Sequence, residues 1–245
     1  MEDIRTIVVK ELKEFWMARG SLRSRLLSFL PMVIVFGIYL PLQQREAWTE
    51  IPAVAGIWFT MLPLVLAGGT AADSFAGERE RHTLETLLAT RLSDRDIFLG
   101  KVLATVIYCV GVVWGCALVG LISLNVTRGS GPLFMYSAPV LALILVGSIL
   151  VSLLMTAVGV LVSLRAASVR AAAQYFGFAT LAIFIGLPLI MQALPDSAKA
   201  ALERAVLGAN WTAVGLIVAT AMLAIDALLL GIGIARFQRT RLILE

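Results

Sequence analysis

Six apolar stretches, each near or above the roughly 20 residues that a helix needs to cross the hydrocarbon core of a bilayer, constrain this chain more than anything else in it. They run from Leu26 to Leu42, Ile51 to Ala72, Val102 to Leu124, Val140 to Leu164, Ala171 to Leu194 and Trp211 to Ile234. No water is available in lipid to bond an exposed peptide group, so such a segment must satisfy its backbone internally, and these lengths fit helices. Composition agrees: 60% of residues are hydrophobic and 15% charged, against roughly 45–50% and about 25% in soluble domains. The expected fold is an all-α integral membrane protein with six transmembrane helices. It would form a single domain over residues 1–245, with an interfacial helix at 1–25, the membrane region at 26–234 and a tail at 235–245.

Charge sets the orientation. Six spans put both termini on one side, and that side collects 16 of the 20 Lys and Arg residues. The other keeps Arg45, Arg128, Lys199 and Arg204. The positive-inside rule then places both termini in the cytoplasm, with the plasma (inner) membrane as the location. The net charge of +4 follows from this topology, so nucleic acid is not an expected partner.

Ahead of the first span, Ile4, Val8, Leu12, Phe15 and Trp16 recur at helical spacing, with Arg5, Lys10, Lys13 and Glu14 mostly on other faces. The pattern predicts an amphipathic helix lying in the interface. Acidic and basic residues recur from Glu2 to Arg25 without an early apolar core, so a signal peptide is not expected and the first span would stay in the mature protein. Cys109 and Cys116 fall on about the same face of the third span and read as packing residues rather than a disulfide. No metal-binding constellation is evident.

Between the second and third spans lies an island of charge, Ser74 to Lys101. Leu84, Leu87 and Leu88 share a face from Glu78 to Leu88, and Glu78 with His82 and Arg81 with Glu85 are (i, i+4) pairs. Ser93-Asp94-Arg95-Asp96 is a capping box opening a new helix, while Gly77 would let the chain turn out of the second span. A short amphipathic helix parallel to the membrane is expected here.

In these residues the chain resembles the membrane subunits of ATP-binding cassette (ABC) exporters of the ABC-2 type. The resemblance is carried by Phe75-Ala76-Gly77-Glu78-Arg79-Glu80, by Thr83-Leu84-Glu85 with Leu87-Leu88, by Leu92-Ser93 and by Gly100-Lys101. The charged N-terminus with Lys10-Glu11-Leu12 supports it, as does Ser168 to Gln174 entering the fifth span. The resemblance implies a permease working as a dimer with a second copy or a related subunit, driven by two cytoplasmic ATPase subunits. The island would be the coupling helix, with Glu78, Arg79, Glu80, Arg81, Thr83, Leu84, Glu85 and Leu87 contacting the ATPase. The competing reading packs the leucines on the chain's own spans and leaves the charges solvated. No G-x-x-x-x-G-K-[ST] occurs, since Gly100-Lys101 lacks the upstream glycine. The chain itself is expected to be neither an enzyme nor a nucleotide binder, with ATP and Mg²⁺ on the partner. The lone histidine, His82, reads as a surface residue.

By the same resemblance the first, second and fifth spans would border the path, making Phe36, Tyr39, Phe59, Tyr175, Phe176 and Phe184 candidate lining residues. Lipid-facing positions suit them equally well. Asp226, about 15 Å inside the boundary set by Arg236, reads either as a neutral carboxyl between helices or as a proton or cation site. The second reading supports an alternative function, an ATP-independent channel or ion-coupled carrier using Asp226; an anchoring subunit without transport is a third. Ser148, Ser152 and Thr156, together with Gly111-x-x-x-Gly115, predict close helix packing. Pro63 and Pro188 would kink their helices.

Overall fold

The computed structural model describes residues 2–17, 29–83, 91–128, 131–166, 168–207 and 211–237, and among them every regular element is helical. In chain order these are α1 (Glu2–Met17), α2 (Phe29–Gln44), α3 (Glu46–Glu50), α4 (Pro52–Glu80), α5 (Asp94–Val126), α6 (Ala138–Arg165), α7 (Val169–Ala193), α8 (Asp196–Leu207) and α9 (Trp211–Arg236). Among the described residues, four stretches are long and apolar enough to cross a membrane: Val54–Glu80, Asp94–Val126, Ala138–Arg165 and Ala213–Arg236.

That is fewer than the six the apolar runs predict. α2 is apolar but short, and at 1.5 Å per residue its length rises to about 24 Å, less than the roughly 30 Å core. Residues Val33–Tyr39 within it are wound as a π-helix, while Leu26 to Ser28, where the first apolar run begins, lie outside the described residues. α7 has the length, 25 residues, but the side chains of Phe184 and Pro188 lie outside those described.

The central contact is between α4 and α6, with α7 packed against both. The approach is close because the facing residues are small: a Cβ added to Gly159 of α6 would lie 2.6 Å from the Ala71 methyl of α4. Ser148, Ser152 and Thr156 are all buried, as their spacing predicts. Gly111 and Gly115 of α5 behave otherwise, since a methyl added at either position would meet no described residue within 4 Å. Cys109 and Cys116 are free and buried, as expected of packing residues.

α5 forms the second wall, against α1, α2 and α6. One apolar cluster, including Ile7, Phe75, Ile97, Phe98, Val160 and Phe237, closes the end of the bundle where α4 finishes and α5 begins. Another, around Trp48, Phe59, Val113, Leu124 and Val140, closes the opposite end. α9 lies outside against α6 and α5, its Leu216, Ile217, Leu223 and Leu228 exposed as a lipid-facing surface requires.

Local chemistry sets the helix ends. The Ser93 hydroxyl accepts the Asp96 N–H at 3.1 Å and opens α5, the predicted cap. Ser168 does the same for α7 through the Ala171 N–H, also at 3.1 Å. The turn out of α4 differs from expectation. The helix continues through Gly77 to Glu80, and His82, with φ of 56°, makes the turn. Its N–H donates to Arg79 O and that of Thr83 to Glu78 O, at 3.1 and 2.9 Å. This is a Schellman ending with histidine where glycine is usual; histidine is among the residues that tolerate a left-handed backbone better than most.

Gly77 serves another purpose. The Arg81 guanidinium reaches back over it to hold both oxygens of Asp73, at 2.7 and 2.8 Å. A Cβ at Gly77 would fall 2.0 Å from Asp73 Oδ1, so the absent side chain is what leaves room for the pair. This hydrogen bond, together with the charge of Asp73, raises the Arg81 pKa further above its ordinary value.

Candidate functional site

Where α1, α4 and α5 meet, three charged side chains are buried together. Lys101 lies two turns into α5 and is 1% exposed. Its Nζ donates to Glu11 Oε1 of α1, to Glu78 Oε1 of α4 and to the carbonyl of Ser74, each at 2.9 Å. An ammonium has three donors, and here each has an acceptor. The Phe75 ring adds a cation–π contact, its centroid 5.3 Å from Nζ. Lys10, half-exposed at the rim, lies 3.3–3.5 Å from Glu11, Glu14 and Glu78. Its partial burial acts to lower its pKa, but the three carboxylates outweigh this and raise it.

The neighbouring packing holds these groups in place. Ile7 of α1 lies against Gly100, where an added Cβ would come within 2.7 Å of it, so α1 seats directly on the backbone of α5. Val8, Leu12 and Phe15 pack on the same side, as the helical spacing predicts. Ile4 is only half-buried, and the Trp16 side chain lies outside those described. Phe75, whose ring lies against Lys101, packs at a tilt on Phe237 with the ring centroids 4.9 Å apart, both side chains buried.

α4 is tied to the α6–α7 turn by the residues that follow Glu78. Arg79 donates to the carbonyls of Ala166 and Leu164, at 3.0 and 3.2 Å, and so caps the end of α6. Glu80 accepts the Val169 N–H at 2.9 Å at the start of α7. One turn earlier, the Ser163 hydroxyl of α6 accepts the N–H groups of Phe75 and Ala76 and donates to Ala72 O. Through Glu78, Arg79 and Glu80 the last turn of α4 thus grips α1, α5, α6 and α7.

The eight predicted coupling residues therefore divide. Glu78 points inward and is buried; Arg79 and Glu80 bind neighbouring helix ends, and Arg81 binds Asp73. Thr83 closes the turn through its own hydroxyl, 3.3 Å from Glu78 O. Leu84, Glu85 and Leu87 lie outside the described residues. The expected pairing of Glu78 with His82 is not made, because α4 ends between them and Glu78 is taken by Lys101.

Sequence reading missed Glu11 and Lys101 as partners. A signal was present: Glu11 falls on the apolar stripe of α1 between Val8 and Phe15, and Lys101 interrupts the apolar start of α5. Nothing in the sequence joins residues 90 positions apart.

Of the candidate path residues, Phe36 and Phe59 share one apolar cluster and the other described ones lie elsewhere. Phe59 is buried between Trp48 and Tyr136, and Phe36 packs edge-on against Trp58. Phe176 wedges into α4 at Gly68. Tyr39 and Tyr175 are exposed, and the Phe184 side chain is not among those described. Asp226 is buried, and neither of its oxygens has a hydrogen-bond partner among the described residues.

A helical bundle with four membrane-length apolar helices among the described residues defines a multi-pass membrane protein. The family model for ABC-2 family transporter proteins matches residues 7–210, and the chain belongs to that family. It is an ABC-2 type transport permease. Comparison with curated proteins gives no match.

Proposed function

We propose that this chain is the membrane-spanning half of an ATP-driven exporter, six spans with both termini in the cytoplasm of the plasma membrane, working as a dimer with two cytoplasmic ATPase subunits that bind ATP and Mg²⁺. The segment joining α4 to α5 is the contact with the ATPase. Leu84, Leu87 and Leu88 fill an apolar groove there, and Glu85 fixes the register.

One observation carries the reading: that segment is anchored at both ends in the bundle. On the α4 side Glu78, Arg79 and Glu80 bind α5, α6 and α7; on the α5 side Ser93 caps the helix and Lys101 binds α1. A displacement delivered to the segment is therefore transmitted to five helices together, because bending any one of them away breaks a charge-assisted bond, buried at Lys101, part-buried at Arg79 and exposed at Glu80. A loosely tethered loop would lose the same displacement to its own flexibility.

The test uses the chain co-purified with its ATPase in nanodiscs. Glu85→Lys combined with Leu87→Asp abolishes most of the transport-linked ATPase activity while leaving membrane insertion and the thermal midpoint of the chain unchanged. Unaltered ATPase activity in the double variant, or a chain that carries cargo with no ATPase attached, overturns the reading.

A further inference from the structure

At the end of the bundle remote from Lys101, an apolar groove of about 240 Å³ opens between α5 and the start of α6. Trp114, Leu118 and Leu121 of α5 form one wall, with Leu141 of α6 opposite and Met135 and Tyr136 of the α5–α6 connection closing the end. Leu118 and Met135 are 62% and 65% exposed, so the groove faces outward from the bundle, into lipid, rather than toward α4.

The walls are preformed, and their polar groups are already occupied. The connection is stapled to α5 by Asn125, whose side chain donates to Phe134 O and accepts the Phe134 N–H, both at 3.0 Å. The Tyr136 hydroxyl donates to Ala117 O at 2.9 Å. The Trp114 indole N–H turns away to Ile144 O and the Ser148 hydroxyl, both at 3.2 Å, where α6 is wound as a π-helix. What remains facing the groove is hydrocarbon and aromatic face. A polar ligand would lose its hydration there without replacement, whereas an alkyl chain loses nothing.

Arg128 supplies the polar end. Trp114, Leu118, Leu121, Asn125 and Arg128 follow one another at steps of four, three, four and three, a single stripe of α5 continued one residue past its cap. Arg128 stands about 10 Å beyond Leu121 along the axis. One guanidinium nitrogen donates to Gly131 O at 2.5 Å; its remaining donors have no partner among the described residues. A cation on the groove's own stripe, about two turns beyond Leu121, matches a phosphodiester headgroup above an acyl chain.

We infer that this groove is a phospholipid site, holding one acyl chain along Trp114, Leu118 and Leu121 with its phosphate on Arg128. Exposed Leu133 and Met135 set the connection at the depth where chain and headgroup meet, and the occupied groove stiffens the junction between α5 and α6 on the leaflet opposite the ATPase contact.

The experiment reconstitutes the full chain in nanodiscs of phosphatidylethanolamine and phosphatidylglycerol containing a small fraction of phosphatidylglycerol with a diazirine on its acyl chain. After illumination, adducts are mapped by peptide mass spectrometry. Adducts concentrate on Leu118, Leu121 and Met135, roughly tenfold above those on Leu216 and Ile217 of the open α9 face. Leu121→Trp, which fills the slot, removes them and leaves the α9 adducts unchanged. Arg128→Gln lowers the groove adducts roughly threefold to tenfold, the loss of a charge-assisted contact. Equal labelling of groove and α9 shows ordinary boundary lipid and overturns the site. Persistent labelling in Leu121→Trp overturns the chain position, and no change in Arg128→Gln overturns the headgroup assignment. A groove protected from labelling and cross-linked through Leu118 to a second copy also overturns the proposal.

Discussion

Replacing Lys101 by methionine removes the ammonium that Glu11 and Glu78 share and leaves two carboxylates facing one another in a buried space. Methionine keeps nearly the same length, so the packing against Phe75 changes little and the effect is electrostatic. Each carboxylate lies 2.9 Å from Nζ, and their side chains are only 4% and 7% exposed, so water cannot replace the lost partner. Lys10 gives partial relief from 3.4 and 3.5 Å, but its side chain is 46% exposed and its contribution is screened. Removing one partner of a buried pair costs about 3–5 kcal/mol. Lys101→Met is therefore expected to lower stability by that amount, a fall of about 6–20 °C in thermal midpoint for a chain of this size. Scanning fluorimetry of the detergent-solubilised protein reads it. Adding Glu11→Gln and Glu78→Gln neutralises the stranded charges and should recover more than half of the loss, because the cost lies in the unpaired carboxylates. A fall of under about 2 °C in Lys101→Met, or a triple variant no better than the single one, would refute the argument that the cluster is a buried ion lock.

At Gly77 two effects of similar size oppose one another. Alanine gains about 0.5–1 kcal/mol in a helix interior but displaces Asp73 from Arg81, a half-exposed pair worth up to about 1 kcal/mol. Gly77→Ala should therefore be near neutral in the native background and stabilising by about 1 kcal/mol when Asp73 is already alanine; a destabilisation in both backgrounds in urea unfolding would contradict this. Arg45 has φ of 45° and ψ of −113° between α2 and α3, a conformation that glycine adopts without strain, so Arg45→Gly should raise the thermal midpoint by the equivalent of about 1–2 kcal/mol. Asp226 is buried with both oxygens unpartnered among the described residues, so Asp226→Leu should be neutral or stabilising by about 1–3 kcal/mol; a large loss of folded protein would show that the carboxyl bonds to something essential.

Much of the cap chemistry and the membrane character was legible from neighbouring residues alone. Ser93 three residues before Asp96 is a local instruction, and so is an unbroken apolar run. The α4 ending was legible only in part. Gly77 is a natural turn residue in isolation, yet the helix runs through it because Glu78, Arg79 and Glu80 each gain a partner on another helix, and the turn falls to His82. Glu78 and His82 are well spaced for a helical pair, but such a pair needs a helix beginning where α4 in fact ends. Gly111 and Gly115 carry a packing motif, yet no described residue comes within 4 Å of a methyl added at either.

The sequence by itself determined the solvent of this protein, a chain whose apolar runs belong in a membrane, and the family to which it belongs. These depend on side-chain transfer energies and on residue order, both local properties. Only the tertiary structure decided that Lys101 bonds Glu11 and Glu78, across 90 and 23 positions, that Arg79 and Glu80 cap two other helices, and that Phe59 packs between Trp48 and Tyr136. A buried charge specifies that it must be paired but not with what. The partner is chosen by which helices pack, and that choice depends on the fit of small residues such as Ala71 against Gly159 and Ile7 against Gly100.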